Sequence, residues 1–138
     1  MLADILIIGA GTAGMTCAIR AAQVGKQVLV IEKSDQVGGT LHYTAGHLSG
    51  ANSKRQIGKN IIDSTDEHYA DIVRISRNTM NAEIAKKAVE LAPSTINWLD
   101  GLGYPFHEKA PLIIYGHEPY SKPRTYLGEN DISASMNA

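Results

Sequence analysis

Two short aliphatic runs dominate the start of the chain. Ile5-Leu6-Ile7-Ile8 is bounded by Asp4 and Gly9, and Gln27-Val28-Leu29-Val30-Ile31 by Lys26 and Glu32. Unbroken apolar runs without a polar alternate are the pattern of strands buried on both faces of a parallel sheet, so both are expected to lie under helices. Between them, Ala13, Cys17, Ala18, Ala21 and Ala22 recur at helical spacing from Thr12 to Val24, and Gly25 stands where a C-terminal cap belongs. Strand, helix, strand at this spacing is a βαβ unit with a right-handed crossover and two parallel, neighbouring strands.

From Ser34 to Lys59 the pattern dissolves. Gly38, Gly39, Gly46, Gly50 and Gly58 interrupt a polar stretch in which no regular element of any length is expected, and a loop this long is usually functional or disordered. Helical spacing returns after Asp63-Ser64-Thr65-Asp66, which offers N-cap candidates for a helix running to about Arg77. Asn81 opens another, with Ile84, Ala88, Leu91, Ile96 and Leu99 on its inner side and a kink or division expected at Pro93. The stretch from Gly101 to Ala138 holds every proline except Pro93 and has no sustained periodicity. It reads as irregular and not as a self-sufficient core, and no internal repeat replaces one.

Composition narrows the class without naming a function. At 138 residues with 43% apolar content, the chain suits one domain with one modest core. Thirteen basic against 14 acidic side chains give a net charge of −1, and no basic run exceeds Lys54-Arg55 or Lys86-Lys87, which argues against a nucleic-acid partner. Cys17 is the single cysteine, so no intramolecular disulfide forms; within a helix it is expected to be a small buried thiol. The apolar start carries Asp4, lacks a basic n-region and is broken by glycines, unlike a signal peptide. No stretch approaches the roughly 18 apolar residues of a membrane span, and a cytoplasmic location is expected. His47, His68, His107 and His117 lack metal-ligand spacing, so no metal is expected and surface or hydrogen-bonded roles are the default for each.

Gly9-Ala10-Gly11-Thr12-Ala13-Gly14 matches G-x-G-x-x-G directly after a predicted strand and at the start of a helix, the context the motif requires. Gly9 permits the tight turn, Gly11 lets a pyrophosphate approach the backbone, and Gly14 lets helix and strand pack closely. The anion then sits at the helix N-terminus, where unpaired N–H groups and the helix dipole favour negative charge. Glu32 closes the second run, where a carboxylate accepts hydrogen bonds from ribose hydroxyls and repels a 2′-phosphate. An ordinary turn and a solvated strand end would account for the glycines and for Glu32 separately, but not for their register. Dinucleotide binding is the reading.

Beyond this point the residues carry a family resemblance. Glu32-Lys33 followed by Gly38-Gly39-Thr40 resembles the second signature of FAD proteins with this fold. Gly39-Thr40-Leu41-His42-Tyr43-Thr44-Ala45-Gly46-His47 is similar to the flavin-contacting segment of the fumarate reductase, succinate dehydrogenase and 3-ketosteroid dehydrogenase superfamily. Asp63 to Phe106, with Trp98-Leu99 and Gly103-Tyr104, and then Gly116-His117-Glu118-Pro119-Tyr120 and Pro123-Arg124-Thr125-Tyr126, resemble the N-terminal part of the same flavoproteins. The resemblance covers nearly the whole chain, but its specific motifs precede Leu48.

By position, the resemblance implies that the backbone at Ala13 and Gly14 meets the pyrophosphate and Glu32 the adenosine ribose, that Lys33 and Thr40 belong to the nucleotide half, and that Leu41, Ala45, Gly46 and His47 belong to the flavin surroundings. Gly9, Gly11, Thr12, Gly39 and His42 are counted with them as cofactor-binding. Some relatives join the flavin covalently to a histidine near His42, but Leu41 stands where they carry the serine of Arg-Ser-His. Non-covalent FAD is therefore the expectation, with a covalent link at His42 as the alternative.

The fold class expected is α/β: a partial Rossmann-type FAD-binding domain, a βαβ unit plus helices, completed by another chain or a missing segment. Within it, residues 1–33 form the ADP-binding βαβ unit, 34–60 the flavin-contacting loop, 61–103 helices and 104–138 an irregular tail. The resemblance implies relatives several times longer, whose substrate lobe and catalytic residues have no counterpart here, so the catalytic residues are unknown. Either a larger second subunit supplies the remainder or the chain is a piece of a longer polypeptide; the polar ending Ser135-Met136-Asn137-Ala138 mildly favours the first.

The reaction implied is hydride transfer between flavin and a carbon beside a carbonyl, on a small-molecule substrate of ketosteroid or unsaturated-acid type. Two alternatives stand beside it. One is a non-catalytic docking subunit that keeps nucleotide binding for assembly, against which the intact Gly9, Gly11, Gly14 and Glu32 count. The other is the NAD-binding domain of a conventional dehydrogenase, which Gly38-Gly39-Thr40 disfavours.

Overall fold

The structure is a computed structural model that describes residues 2–115 and 118–129. The chain divides into two compact units, Met1–Ala45 and Gly46–Ala138. The final residues 130–138, with the expected polar ending, and the pair Gly116-His117 lie outside the described residues.

In the first unit, β1 (Ile5–Ile8) pairs in parallel with β2 (Val28–Ile31), Ile5 opposite Val28 and Ile8 opposite Ile31. α1 (Thr12–Gln23) makes the crossover. Its end is a Schellman motif: the Gly25 N–H donates to Ala22 O at 2.9 Å and the Lys26 N–H to Ala21 O at 3.1 Å, with Gly25 at φ +79°. Only glycine adopts that φ without a Cβ penalty. Asp4 Oδ2 accepts the Gln27 N–H at 2.9 Å and aligns the starts of the two strands.

The sheet departs from the expectation of burial on both faces. Ile5, Ile7, Val28 and Val30 share the face under α1, whereas Leu6, Ile8, Leu29 and Ile31 project from the other and are exposed, Ile8 to 81%. The reason is supply: among the described residues of this unit there is one α-helix, and it covers one face. The same shortage leaves Cys17 exposed instead of buried. After β2 the chain forms a 3-10 turn, η1 (Gly39–Tyr43).

In the second unit, β3 (Leu48–Ser49) pairs antiparallel with β4 (Thr125–Tyr126). Three helices lie between them, and each begins on a side-chain cap. Ser53 accepts the Gln56 N–H and starts α2 (Lys54–Gly58); Ser64 accepts the Glu67 N–H and starts α3 (Thr65–Ile75); Asn81 accepts the Ile84 N–H and starts α4 (Ala82–Gly101). α3 stops where Arg77 and Asn78 turn to positive φ. η1, β3 and α2 show that the glycine-rich stretch is not devoid of regular structure: the elements are too short for periodicity to reveal, and a serine cap starts α2.

Of the kink or division expected at Pro93, the division does not occur, and α4 runs on through it; Pro93 removes one N–H, and the hydroxyls of Ser94 and Thr95 both donate to the Leu91 carbonyl just upstream, at 2.8 and 3.0 Å. The inner face runs through Val89 and Ile96, 2% and 1% exposed, while Ile84 and Leu91 are 68% and 49% exposed. Ile84, Ala88 and Leu91 form an apolar stripe beside the buried one. The aperiodic stretch is also not peripheral. Phe106, Ala110 and Tyr126 pack with Ile96 as the core of this unit, flanked by Leu48 and Leu99. Among the described residues no helix is long and apolar enough to cross a membrane.

Candidate functional site

The glycine turn follows β1 directly. The Gly9 N–H donates to Ile31 O at 2.7 Å, and Gly9 takes φ +99°. Gly11 is the N-cap of α1 and supplies no capping side chain, and the first turn carries no acidic residue. The N–H groups of Thr12, Ala13 and Gly14 therefore face outward without an acceptor in the helix, at its positive end. A Cβ at Gly14 would lie 1.9 Å from Gly9 O and 3.3 Å from Ile7 Cγ2, so the helix start rests on the strand end. Among the described residues a Cβ at Gly11 would meet nothing within 4 Å, which leaves the space above that backbone open.

Glu32 faces this turn from the end of β2. Its Oε2 accepts the Ala10 N–H at 2.7 Å, and its Oε1 accepts the Lys33 and Ser34 N–H groups at 2.8 and 3.0 Å. These donors, Ala10 first and Ser34 next, hold its carboxyl below the ordinary carboxylate range. The group is thus an ionised acceptor with lone pairs to spare. Ile8, Gly9, Ile31, Glu32, Lys33, Ser34 and Gly39 line a cleft of about 470 Å³. Apolar walls with one carboxylate at the rim suit an adenine ring and its ribose, and unpaired N–H groups beside them suit a pyrophosphate.

The second glycine pair is pressed against the first turn. Gly38 and Gly39 have φ +114° and +54°, and the Gly38 N–H donates to Ala10 O at 2.8 Å. Gly11 and Gly38 form a parallel bridge, and a Cβ at Gly39 would lie 3.5 Å from Gly11 Cα. Gly9, Glu32, Lys33 and Gly39 thus line one cleft, and Gly11, bridged to Gly38, carries the chain from it into α1, whose first residues are Thr12, Ala13 and Gly14. Thr40, Leu41 and His42 continue from Gly39 in η1, and exposed Ala45 ends the unit. Gly46, at φ +67°, and exposed His47 open the second unit.

The second unit holds an ionic cluster that the sequence does not announce. Arg124 is fully buried; its Nε and Nη2 donate to the two Asp63 carboxylate oxygens at 2.7 and 2.6 Å, and its Nη1 donates to Asp71. Asp71 Oδ2 also accepts the Ser121 N–H and hydroxyl, and Arg74 donates to Oδ1. Burial alone would raise the Asp71 carboxyl; Ser121, Arg74 and Arg124 outweigh it and lower it. Asp63 likewise is lowered by Arg124 and Gln56 against burial. Ser53 and Tyr126 hydroxyls share a buried hydrogen bond, which ties α2 to β4.

His68 corrects the expectation of a surface or hydrogen-bonded role: it is 2% exposed, and among the described residues neither ring nitrogen has a hydrogen-bond partner. Burial, with Arg124 adding to it against Asp63 and Asp71, pushes its pKa down to about 4, so the ring is neutral. Its ring meets Tyr120 edge-on, 5.2 Å between centroids. Of the remaining histidines, His107 accepts the Lys109 N–H through Nδ1 at 3.0 Å; His117 lies outside the described residues.

Comparison with known proteins places this geometry. The family described as FAD binding domain matches residues 4–128. NADH:fumarate oxidoreductase of Klebsiella pneumoniae (strain 342) is 32% identical over 100 residues, which cover 72% of this chain and 11% of that protein. The open conformation of a flavocytochrome c3 fumarate reductase superposes with TM-score 0.75 at 20% identity, over 93% of this chain and 22% of the other, a likeness of fold. The 3-ketosteroid-Δ4-(5α)-dehydrogenase of Rhodococcus jostii RHA1 superposes with TM-score 0.65 at 28% identity, over 77% of this chain and 22% of the other. The chain thus spans about a tenth to a fifth of these relatives.

Proposed function

The chain belongs to the FAD binding domain family, its cofactor is FAD, and on that premise we propose that it is the FAD-binding part of a flavin-dependent oxidoreductase, active only with a second, larger subunit or a further segment of the same polypeptide. The observation that carries this reading is the cleft lined by Gly9, Glu32 and Gly39, next to the Gly11–Gly38 bridge that joins the two glycine turns.

In this reading Thr12, Ala13 and Gly14 offer their N–H groups to the pyrophosphate, and open Gly11 lets it approach. Glu32 orients the adenosine by accepting its ribose hydroxyls, and Lys33 and Thr40 flank the nucleotide. Leu41, His42, Ala45, Gly46 and His47, within the 34–60 segment, surround the flavin. FAD, when bound, supplies hydride transfer to or from a carbon beside a carbonyl, in a ketosteroid or an unsaturated acid. The substrate class follows three of the relatives, by name an NADH:fumarate oxidoreductase, a fumarate reductase (cytochrome) and a 3-ketosteroid-Δ4-(5α)-dehydrogenase.

The need for a completing segment is supported by the bare sheet face of Leu6, Ile8, Leu29 and Ile31, because parallel sheets are covered on both sides. It is supported as well by the relatives' greater length. A cytoplasmic location belongs to the same proposal.

The test is a visible spectrum of the protein purified with any chain that accompanies it, followed by anaerobic reduction and reoxidation with fumarate or with a 3-ketosteroid enone. Flavin absorption that returns with one of the two acceptors is the expected result. Flavin that exchanges electrons with neither refutes the reaction class. A colourless protein that binds NADH instead refutes the flavin role.

A further inference from the structure

His42 stands among the residues that the flavin reading puts around the flavin, and its ring is already engaged with the backbone. Its Nε2 lies 2.7 Å from the Val37 carbonyl. A carbonyl oxygen only accepts, so Nε2 carries the proton and donates. The bond spans five residues and closes the loop that contains Gly38 and Gly39, both at positive φ. The ring also lies over Gly38: a Cβ there would be 2.9 Å from His42 Nε2. Gly38 in turn donates to Ala10 O and bridges Gly11, so whatever fixes the 37–42 loop fixes where the second glycine pair meets the phosphate-facing turn.

We infer that His42 is a positioning residue for the FAD cleft: through Val37 it holds the Gly38-Gly39 turn against Gly11 before the cofactor arrives, and the flavin is held non-covalently. The inference rests on the flavin reading above. A covalent link through Nε2 would replace the proton that holds Val37 and release the loop. A positioned loop loses less conformational freedom on binding, so the effect falls on affinity.

The experiment compares wild type, His42→Ala and His42→Gln, each purified with any accompanying chain, stripped of flavin and titrated with FAD by flavin fluorescence. Wild-type holoprotein is also precipitated with acid to see where the flavin goes. Loss of one hydrogen bond predicts an affinity about fivefold to tenfold weaker for His42→Ala. Glutamine, whose amide can donate to Val37 but cannot carry a flavin, restores affinity to within about threefold. All flavin appears in the acid supernatant. Flavin retained in the pellet overturns the inference, as does an alanine variant that binds like wild type, or a glutamine variant as weak as alanine. If the alanine variant does not accumulate, glutamine decides: affinity near wild type supports the role and a tenfold loss refutes it. Wild type that takes up no FAD refutes the cofactor reading, and this inference with it, whatever the variants do.

Discussion

Glu32 Oε2 accepts the Ala10 N–H at 2.7 Å, which joins the end of β2 to the middle of the glycine turn. The same carboxylate therefore shapes the turn and offers its remaining lone pairs to a ribose. Glu32→Ala removes both. FAD affinity is expected to fall roughly tenfold or more, measured by fluorescence titration, because hydrogen bonds to a charged acceptor are the stronger kind. Unchanged affinity would remove Glu32 from the site.

Gly14→Ala forces a methyl to within 1.9 Å of Gly9 O, a backbone atom that cannot swing aside. The start of α1 must lift from β1, at a cost of about 1–3 kcal/mol by analogy with overpacked cores. Thermal unfolding should shift downward, and FAD binding should weaken with it because the N–H groups move from their positions. Gly11→Ala, which meets no protein atom, is expected to leave the unfolding midpoint of the apoprotein nearly unchanged while weakening FAD.

Arg124→Met leaves Asp63 and Asp71 facing each other in a buried site without their shared cation. Breaking a buried pair by removing one partner costs about 3–5 kcal/mol. Denaturant unfolding of the variant should show that loss, and the hydrophobic volume of methionine should not recover it. The double variant Asp63→Asn with Arg124→Met should lose less than the sum of the singles.

His68 is neutral in the fold and titrates at about 4, whereas an unfolded histidine titrates near its usual 6.5. Between those values the unfolded chain binds the additional proton, so stability is complete above about pH 6.5 and falls as pH drops towards 4. The interval is worth on the order of 3 kcal/mol by the 1.36 kcal/mol per pH unit conversion. Asp63 and Asp71, both lowered, extend the loss to more acid pH as they take up protons. Unfolding followed from pH 7 to 4 should show the decline, and His68→Phe should flatten its upper part. A wild-type profile flat over that range would mean that His68 gains a partner when charged.

Much of the local structure around the glycine turn was legible in the residues alone, because its signals are local. Gly9-Ala10-Gly11-Thr12-Ala13-Gly14 sits between an aliphatic run and a helix, and Gly25 ends that helix as its φ requires. Ser64 and Asn81 announced their helices in the same way, each through a cap bond three residues long. In the second helix, however, Ile84, Ala88 and Leu91 offered as good a stripe as Val89 and Ile96. Only the position of Phe106, Ala110 and Tyr126 selected the buried one.

Sequence by itself determined the βαβ unit, the glycine turn and Glu32, since hydrogen bonds and sterics between near neighbours dictate them. Tertiary structure decided that the proline-rich end of the described chain supplies a strand and a fully buried arginine. Arg124 meets Asp63 across 61 positions, and no periodicity encodes a bond of that span. It also decided that one face of the β1–β2 sheet is bare. An aliphatic run records that both faces favour cover, but where the cover comes from is a matter of which chain lies beside it.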